Sequence, residues 1–256
     1  MDYFVHKDSV VRQIWGKGDT ILFIFAGSAA EFALNKAVDW LYFTGRLPGD
    51  PLARLFSTVA YSHKILFASR EEALQAITHL RAIHTGLEKS RGSAIPDWAY
   101  RDVLFMLIDY SMRSFELLER KLTADEKAEV FDVFYRLGIQ MDLSGLPANL
   151  ADWYRMREQH LSQNLENSLY TRDLYRQYRK HLGWFPYQVL KQAQILVAPP
   201  QVRLLLGLGR YRLLQPVLAC YKWSRKLQLD GLIKSLFLPR GYWAQIKALD
   251  RPLANR

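Results

Sequence analysis

Two four-residue segments, "SREE" at 69–72 and "TADE" at 123–126, do more than any other feature to limit what this chain can fold into. Each has the Ser/Thr-x-x-Glu form, in which the hydroxyl takes up the backbone N–H of the third helical residue and the glutamate reaches back to the N–H of the cap. Helices over about 70–85 and 124–137 are expected from them, closed by Gly86 and Gly138, which suit a left-handed C-terminal cap. A long helix is expected between the two, from about Pro96 to Arg120, with the proline tolerated in its first turn. Another over about 50–67 follows the turn "RLPGDP", and Asn149 is placed to cap one over about 150–160. Breakers at "GWFP" 183–186, Pro199-Pro200, Gly207, Gly209, Pro216 and Pro239 divide the last third into shorter helices. With strand signals scarce, the expected architecture is a single all-α domain over 1–256, with a basic, apolar helical subregion at 181–256.

A chain of 256 residues, half of them apolar, is long enough to bury a core without a disulfide or metal staple. The single cysteine, Cys220, excludes an internal disulfide and any Cys-rich zinc or iron–sulfur site. The opening "MDYFVHKDSVVRQ" mixes charges where a signal peptide needs a basic start and an apolar run, which predicts a cytoplasmic chain. The most apolar stretch, "ILFIFAGSAA" at 21–30, ends at Glu31 and is too short to span a bilayer.

The net charge of +10 lies wholly in the last third. Residues 1–180 hold 23 basic against 23 acidic side chains, and residues 181–256 hold 12 against 2. Basic residues interleaved with Leu, Trp and Tyr suggest peripheral contact with an anionic membrane or with an acidic partner, or else a docked helical pair with its basic side in water. No nucleic-acid-binding motif accompanies the charge, so a nucleic acid partner is not expected.

On the helix that starts after Ser69, Leu74, Ile77, Leu80, His84 and Leu87 form one inward stripe. His79 lies five residues from His84, about 140° away round the helix, so the two cannot chelate one metal. His84 is thus either a core histidine bonded to a carbonyl or a lone metal ligand, haem iron being the best match for an imidazole with no companion ligand. The preceding helix puts Arg54, Thr58, Tyr61 and Ile65 on one face. Arg54 either pairs with a carboxylate such as a haem propionate or simply bridges to Asp50, while Thr58 either meets an oxygen species or is structural and Tyr61 either lines a pocket or sits in the core. Asp102 and Asp109, seven apart, read as paired acids or as a solvated face partnering Arg101 and Arg113. Phosphate-loop, dinucleotide and serine-hydrolase signatures are absent.

Arg54 and Thr58, Ile83-His84 after "EEA", Leu122 to Glu126, and Leu146-Pro147 recur in an order and spacing that resembles the MpaB-type oxygenase family, which includes the rubber oxygenases. The resemblance is carried by residues 39–161. It implies a helical fold around non-covalent haem b, with His84 as proximal iron ligand and Arg54, Ser57, Thr58 and Tyr61 about the cofactor. It further implies dioxygen-dependent oxidation or cleavage of an apolar, isoprenoid-like unsaturated substrate, with Arg54 and Thr58 in catalytic roles. Where the rubber oxygenases carry a lysine three residues after the arginine, this chain has Ser57, so closure of the iron by lysine does not carry over. Many members also show Trp-Val-His in the following long helix, where this chain reads "LFMLID". Two other functions fit the same residues: a haem-binding sensor or carrier without turnover, and a membrane-associated helical protein that has lost the cofactor.

Overall fold

The computed structural model describes residues 2–43, 49–209, 211–226 and 248–250, with the backbone alone at 41, 51–55 and 223–226. Among the described residues the chain forms helices, two isolated antiparallel bridges (Tyr3 to Ser69, Asn35 to Leu165) and no strand, so the all-α expectation holds. The helices are α1 (Val10–Trp15), α2 (Gly18–Phe32), α3 (Asp39–Phe43), α4 (Pro51–Leu66), α5 (Arg70–Arg91) and α6 (Asp97–Leu118). After them come α7 (Ala124–Gln140), α8 (Leu150–Gln163), α9 (Leu169–Leu182), α10 (Trp184–Val197), α11 (Pro200–Leu205) and α12 (Leu214–Lys226).

The capping segments act as their spacing predicts. Ser69 with Glu72 and Thr123 with Glu126 each form the reciprocal pair of bonds, and Asn149 Oδ1 accepts the N–H of Asp152 at 2.9 Å. The two glycine stops do not. Helix α5 runs through Gly86 to Arg91 and ends on Gly92, which has φ +72°. An interior glycine costs only about 1 kcal/mol, and the extra turn makes compensating contacts. Arg91 reaches Asp39 at 2.6 Å and lies 4.0 Å over the Trp40 ring, while Glu88 accepts the N–H of Ile95 at 2.8 Å. Helix α7 likewise passes through Gly138, where a Cβ would stand 2.9 Å from the side chains of Leu104 and Leu146. That glycine serves close packing rather than termination.

Helix α2 is the centre of the molecule. Its sequence, "GDTILFIFAGSAAEF", is apolar on nearly every side, the signature of a helix buried all round. It packs along α6 more extensively than any other two helices meet, and α10 covers another of its sides. Gly27 allows this approach, because a Cβ there would lie 2.2 Å from the Tyr110 ring of α6. Around this axis Trp15, Phe105, Phe134 and Trp153 are fully buried, and the Trp15 indole donates to Ser111 Oγ at 3.0 Å.

One turn beyond Gly27, the wholly buried Glu31 begins a chain of charged groups that ties α2, α6 and α8 together. Arg157 donates from both terminal nitrogens to the two Glu31 oxygens, and Tyr110 donates to Oε2 at 2.8 Å. Arg157 also bonds Asp109 at 2.9 Å, which takes Arg113 at 2.6 Å on its other oxygen. His160 sits between two carboxylates, with Nε2 2.9 Å from Glu31 and Nδ1 2.6 Å from Asp102, and Asp102 is completed by Asn164 at 2.9 Å and Asn35 at 3.3 Å. Asp102 and Asp109 are therefore buried, not on a solvated face, and only Asp109 has the arginine partner that spacing suggested; Arg101 turns instead to the Ser144 carbonyl.

Three carboxylates meet two guanidiniums, so the network is neutral when His160 is protonated. The pKa directions agree. Burial alone would raise the Glu31 pKa, but Arg157 and His160 outweigh it and hold the carboxyl down at about 2. Burial alone would favour neutral His160, but Asp102 and Glu31 overcome that and raise its pKa. Because the Glu31 pKa is depressed, its contribution is complete above the ordinary value of 4.5 and vanishes as pH falls toward about 2. Because the His160 pKa is elevated, its contribution is complete below the ordinary 6.5 and vanishes as pH climbs through the elevated value.

Unfolding free energy from urea titrations is accordingly expected to peak between these limits, and His160→Gln should flatten the alkaline decline while leaving the acid one. Arg157→Met strands two buried carboxylates and should cost about 3–5 kcal/mol in the same measurement. Gly27→Ala forces α2 and Tyr110 apart, with an expected loss of ~1–3 kcal/mol, read as a lowered thermal midpoint.

Candidate functional site

Beside the α2–α6 axis lies a cavity of about 600 Å³, walled by α2, α4, α5, α6, α10 and α12. That size falls among cavities that hold prosthetic groups and small organic molecules. Most of its wall is apolar: Phe25, Ala29 and Phe32 from α2, Val103 and Leu107 from α6, and Val189 from α10.

The inward stripe of α5 opens onto this space. Leu80, Ile83, His84 and Leu87 all line it, while Ile77 is buried in the main core. Helix α4 presents Ser57, Thr58 and Tyr61 to the same cavity, so the structure brings together four of the five residues singled out from the sequence. Ser57 is exposed at the rim, whereas Thr58, Tyr61 and His84 are half-buried. Tyr61 is not a core residue: it lines the cavity and its ring stacks 6.1 Å from that of His79. His79 itself is exposed and does not line the cavity, in keeping with its angular separation from His84. The fifth residue, Arg54, is on α4, but its side chain lies outside the described residues.

Two residues that spacing did not reveal hold the surroundings of His84. The Tyr100 ring lies 5.3 Å from the imidazole, centroid to centroid, at 53°. Its hydroxyl donates to Glu88 Oε1 at 3.2 Å, and the same oxygen anchors the Ile95 N–H. Burial first, and then the Glu88 charge, push the Tyr100 pKa above its ordinary range, which keeps the phenol protonated as a donor. Glu88 follows His84 by one helical turn, a spacing that could have flagged it; Tyr100 is on another helix and carried no local signal. Elsewhere on the wall, where α2 meets α12, Asp19 Oδ2 accepts the Tyr221 hydroxyl at 3.0 Å.

The wall thus combines one imidazole, a few hydroxyls and a large hydrocarbon surface. Among the described residues no group of three or more His, Cys, Asp or Glu is arranged to hold a bare metal ion. The wall instead offers a single imidazole that could ligate a metal, beside an apolar space of about 600 Å³. Among the described residues lining the cavity there is no Lys or Arg, so the propionate role expected of Arg54 has no described substitute.

Among the described residues no helix is long and apolar enough to cross a membrane. Neither a curated protein nor a solved structure matches the chain. A family model does, described as the catalytic domain of the ER-bound oxygenases mpaB/B′ and of rubber oxygenase, and its match takes in residues 15–224. That span runs from the end of α1 to the last turn of α12 and contains every wall of the cavity, so the chain belongs to the mpaB and rubber oxygenase catalytic-domain family.

Proposed function

We propose that the protein is a haem b-dependent oxygenase that uses dioxygen to oxidise or cleave an apolar, isoprenoid-like unsaturated substrate. The observation that carries this reading is His84 in the wall of a 600 Å³ apolar cavity that also receives Ser57, Thr58 and Tyr61. Haem would supply the oxygen-activating chemistry, with His84 as its protein ligand.

The chain's own residues then have distinct tasks. His84 offers one ring nitrogen, and Tyr100, held by Glu88, restricts the tilt of that ring. The Thr58 hydroxyl and, at the rim, that of Ser57 would offer hydrogen bonds to an oxygen species, while Arg54 is assigned to a propionate. Phe32, Val103, Leu107 and their neighbours exclude water and hold a hydrocarbon by contact area rather than by directed bonds. Peripheral contact with an anionic membrane through 181–256 would bring such a substrate within reach, and part of that segment, residues 227–247, lies outside the described residues.

Absorption spectroscopy tests this reading. Wild-type protein, as purified or after haem addition, should show a Soret band, and His84→Ala should lose or markedly shift it; wild type without the band would overturn the proposal. Tyr100→Ala should weaken haem retention about tenfold, whereas Tyr100→Phe, which keeps the ring against His84, should stay near wild type. Oxygen-dependent consumption of an unsaturated hydrocarbon separates an oxygenase from a haem sensor or carrier, which would give the same spectrum without turnover.

A further inference from the structure

We infer that the corner between α9 and α10 is a docking surface for an anionic lipid bilayer. This refines the membrane contact of the proposed function to particular residues.

The corner is built by Gly183, whose φ of +76° turns the chain so sharply that α10 begins at the next residue. The two residues that follow, Trp184 and Phe185, start a helix while 65% and 44% exposed. A tryptophan and a phenylalanine at a helix tip are costly in water and well suited to the headgroup boundary, where the indole N–H stays hydrated. Leu169, at the other end of α9, is also exposed, at 79%.

Charge along the segment that carries the corner is mostly positive. Residues 168–213 include eight Lys or Arg against a single acidic residue, Asp173. The Asp173 carboxylate is already engaged by Tyr42 at 3.1 Å and Arg176 at 3.4 Å. Arg179 and Lys180 are exposed in the last turn of α9, immediately before the aromatic tip. A groove of about 480 Å³ beside α9 and α10 continues the pattern: Arg172 and Lys191 line it with Asn167, Gln188 and Gln192, and among the described residues no carboxylate does. Such a groove suits a phosphate headgroup, and Trp184 and Phe185, within one turn of the groove residues Tyr187 and Gln188 on α10, suit the acyl boundary.

This arrangement also borders the main cavity. Leu182 and Pro186, on either side of the exposed aromatics, line the wall that His84 shares. A bilayer engaged at the corner therefore lies next to the apolar space where a hydrocarbon would be received. Nucleic acid would meet the same positive charge but gives no reason for apolar side chains at the tip.

The test is co-sedimentation of the full chain with vesicles of mixed phosphatidylcholine and phosphatidylglycerol, beside pure phosphatidylcholine. Wild type should bind the anionic vesicles and bind the neutral ones much less. Trp184→Ser with Phe185→Ser should lower vesicle affinity about tenfold or more, and Arg179→Glu with Lys180→Glu should lower it by at least as much and weaken its salt dependence. Circular dichroism and thermal midpoints show whether each variant is folded, and the single variant Trp184→Ser supplies a milder change if a pair is not. Wild type that fails to bind anionic vesicles, or serine variants that bind as wild type does, would overturn the inference. So would a dimer dissolved by the same serine substitutions, which would assign the corner to a second copy of the chain. Protein that binds vesicles yet shows no Soret band would leave the docking surface standing while the haem reading falls.

Discussion

The Glu31 carboxylate is sealed from water in the last turn of the central helix α2, and everything around it is arranged so that it can remain ionised there. An isolated buried charge would neutralise itself by taking up a proton. Here Arg157 and His160 bring compensating charge from α8, while Asp109, Asp102 and Tyr110 bring the remaining partners from α6. The result fixes three helices in mutual register more strictly than aliphatic packing, which tolerates sliding and exchange of similar volumes. Such a network adds little net stability over a hydrophobic equivalent. What it provides is a single allowed arrangement of α2, α6 and α8, and the cavity lies along the same α2–α6 axis. Asn35 joins the two, bonding Asp102 at 3.3 Å while facing the cavity.

How much of this was legible in the sequence depended on whether the deciding interaction was local. Capping boxes act within four residues, so the starts of α5 and α7 could be read from Ser69 and Thr123 directly. Gly86 and Gly138 misled because a glycine's meaning is set by what it faces. Gly138 faces Leu104 and Leu146, from elsewhere in the chain, and Gly86 is simply carried by a helix whose last turn is fastened to Asp39 and Trp40. The central role of α2 was hidden for a related reason. Its uniform apolarity shows no stripe, and periodicity alone does not place a helix without a polar side. The buried status of Asp102 and Asp109 required their partners on α8, roughly fifty to sixty residues away, which helical spacing does not reveal.

The cavity residues divide along the same line. His84, Thr58 and Tyr61 share faces of two consecutive helices, so spacing brought them into view together, while Ser57 entered through the family resemblance; α4 and α5 do pack closely. Whether His84 faced a solid core or a hollow was not decidable from its stripe, because both leave the same apolar pattern. Membership of the oxygenase catalytic-domain family and the presence of a large apolar space beside the ring come from independent observations. Tyr100 was missed because it stands on another helix, and Glu88, although one turn from His84, because its partner is Tyr100 and not the imidazole.

Helix α10 stands between two spaces of opposite character. Pro186, Val189, Leu190 and Ala193 face the apolar cavity, while Tyr187, Gln188, Lys191 and Gln192 line the basic groove. It is a partition about 10 Å thick between a greasy compartment and a charged one. A rigid partition cannot be displaced on one side alone. Were an occupant of the groove to displace that partition, the cavity would register the change, and by thermodynamic necessity an occupant of the cavity would act on the groove to the same extent.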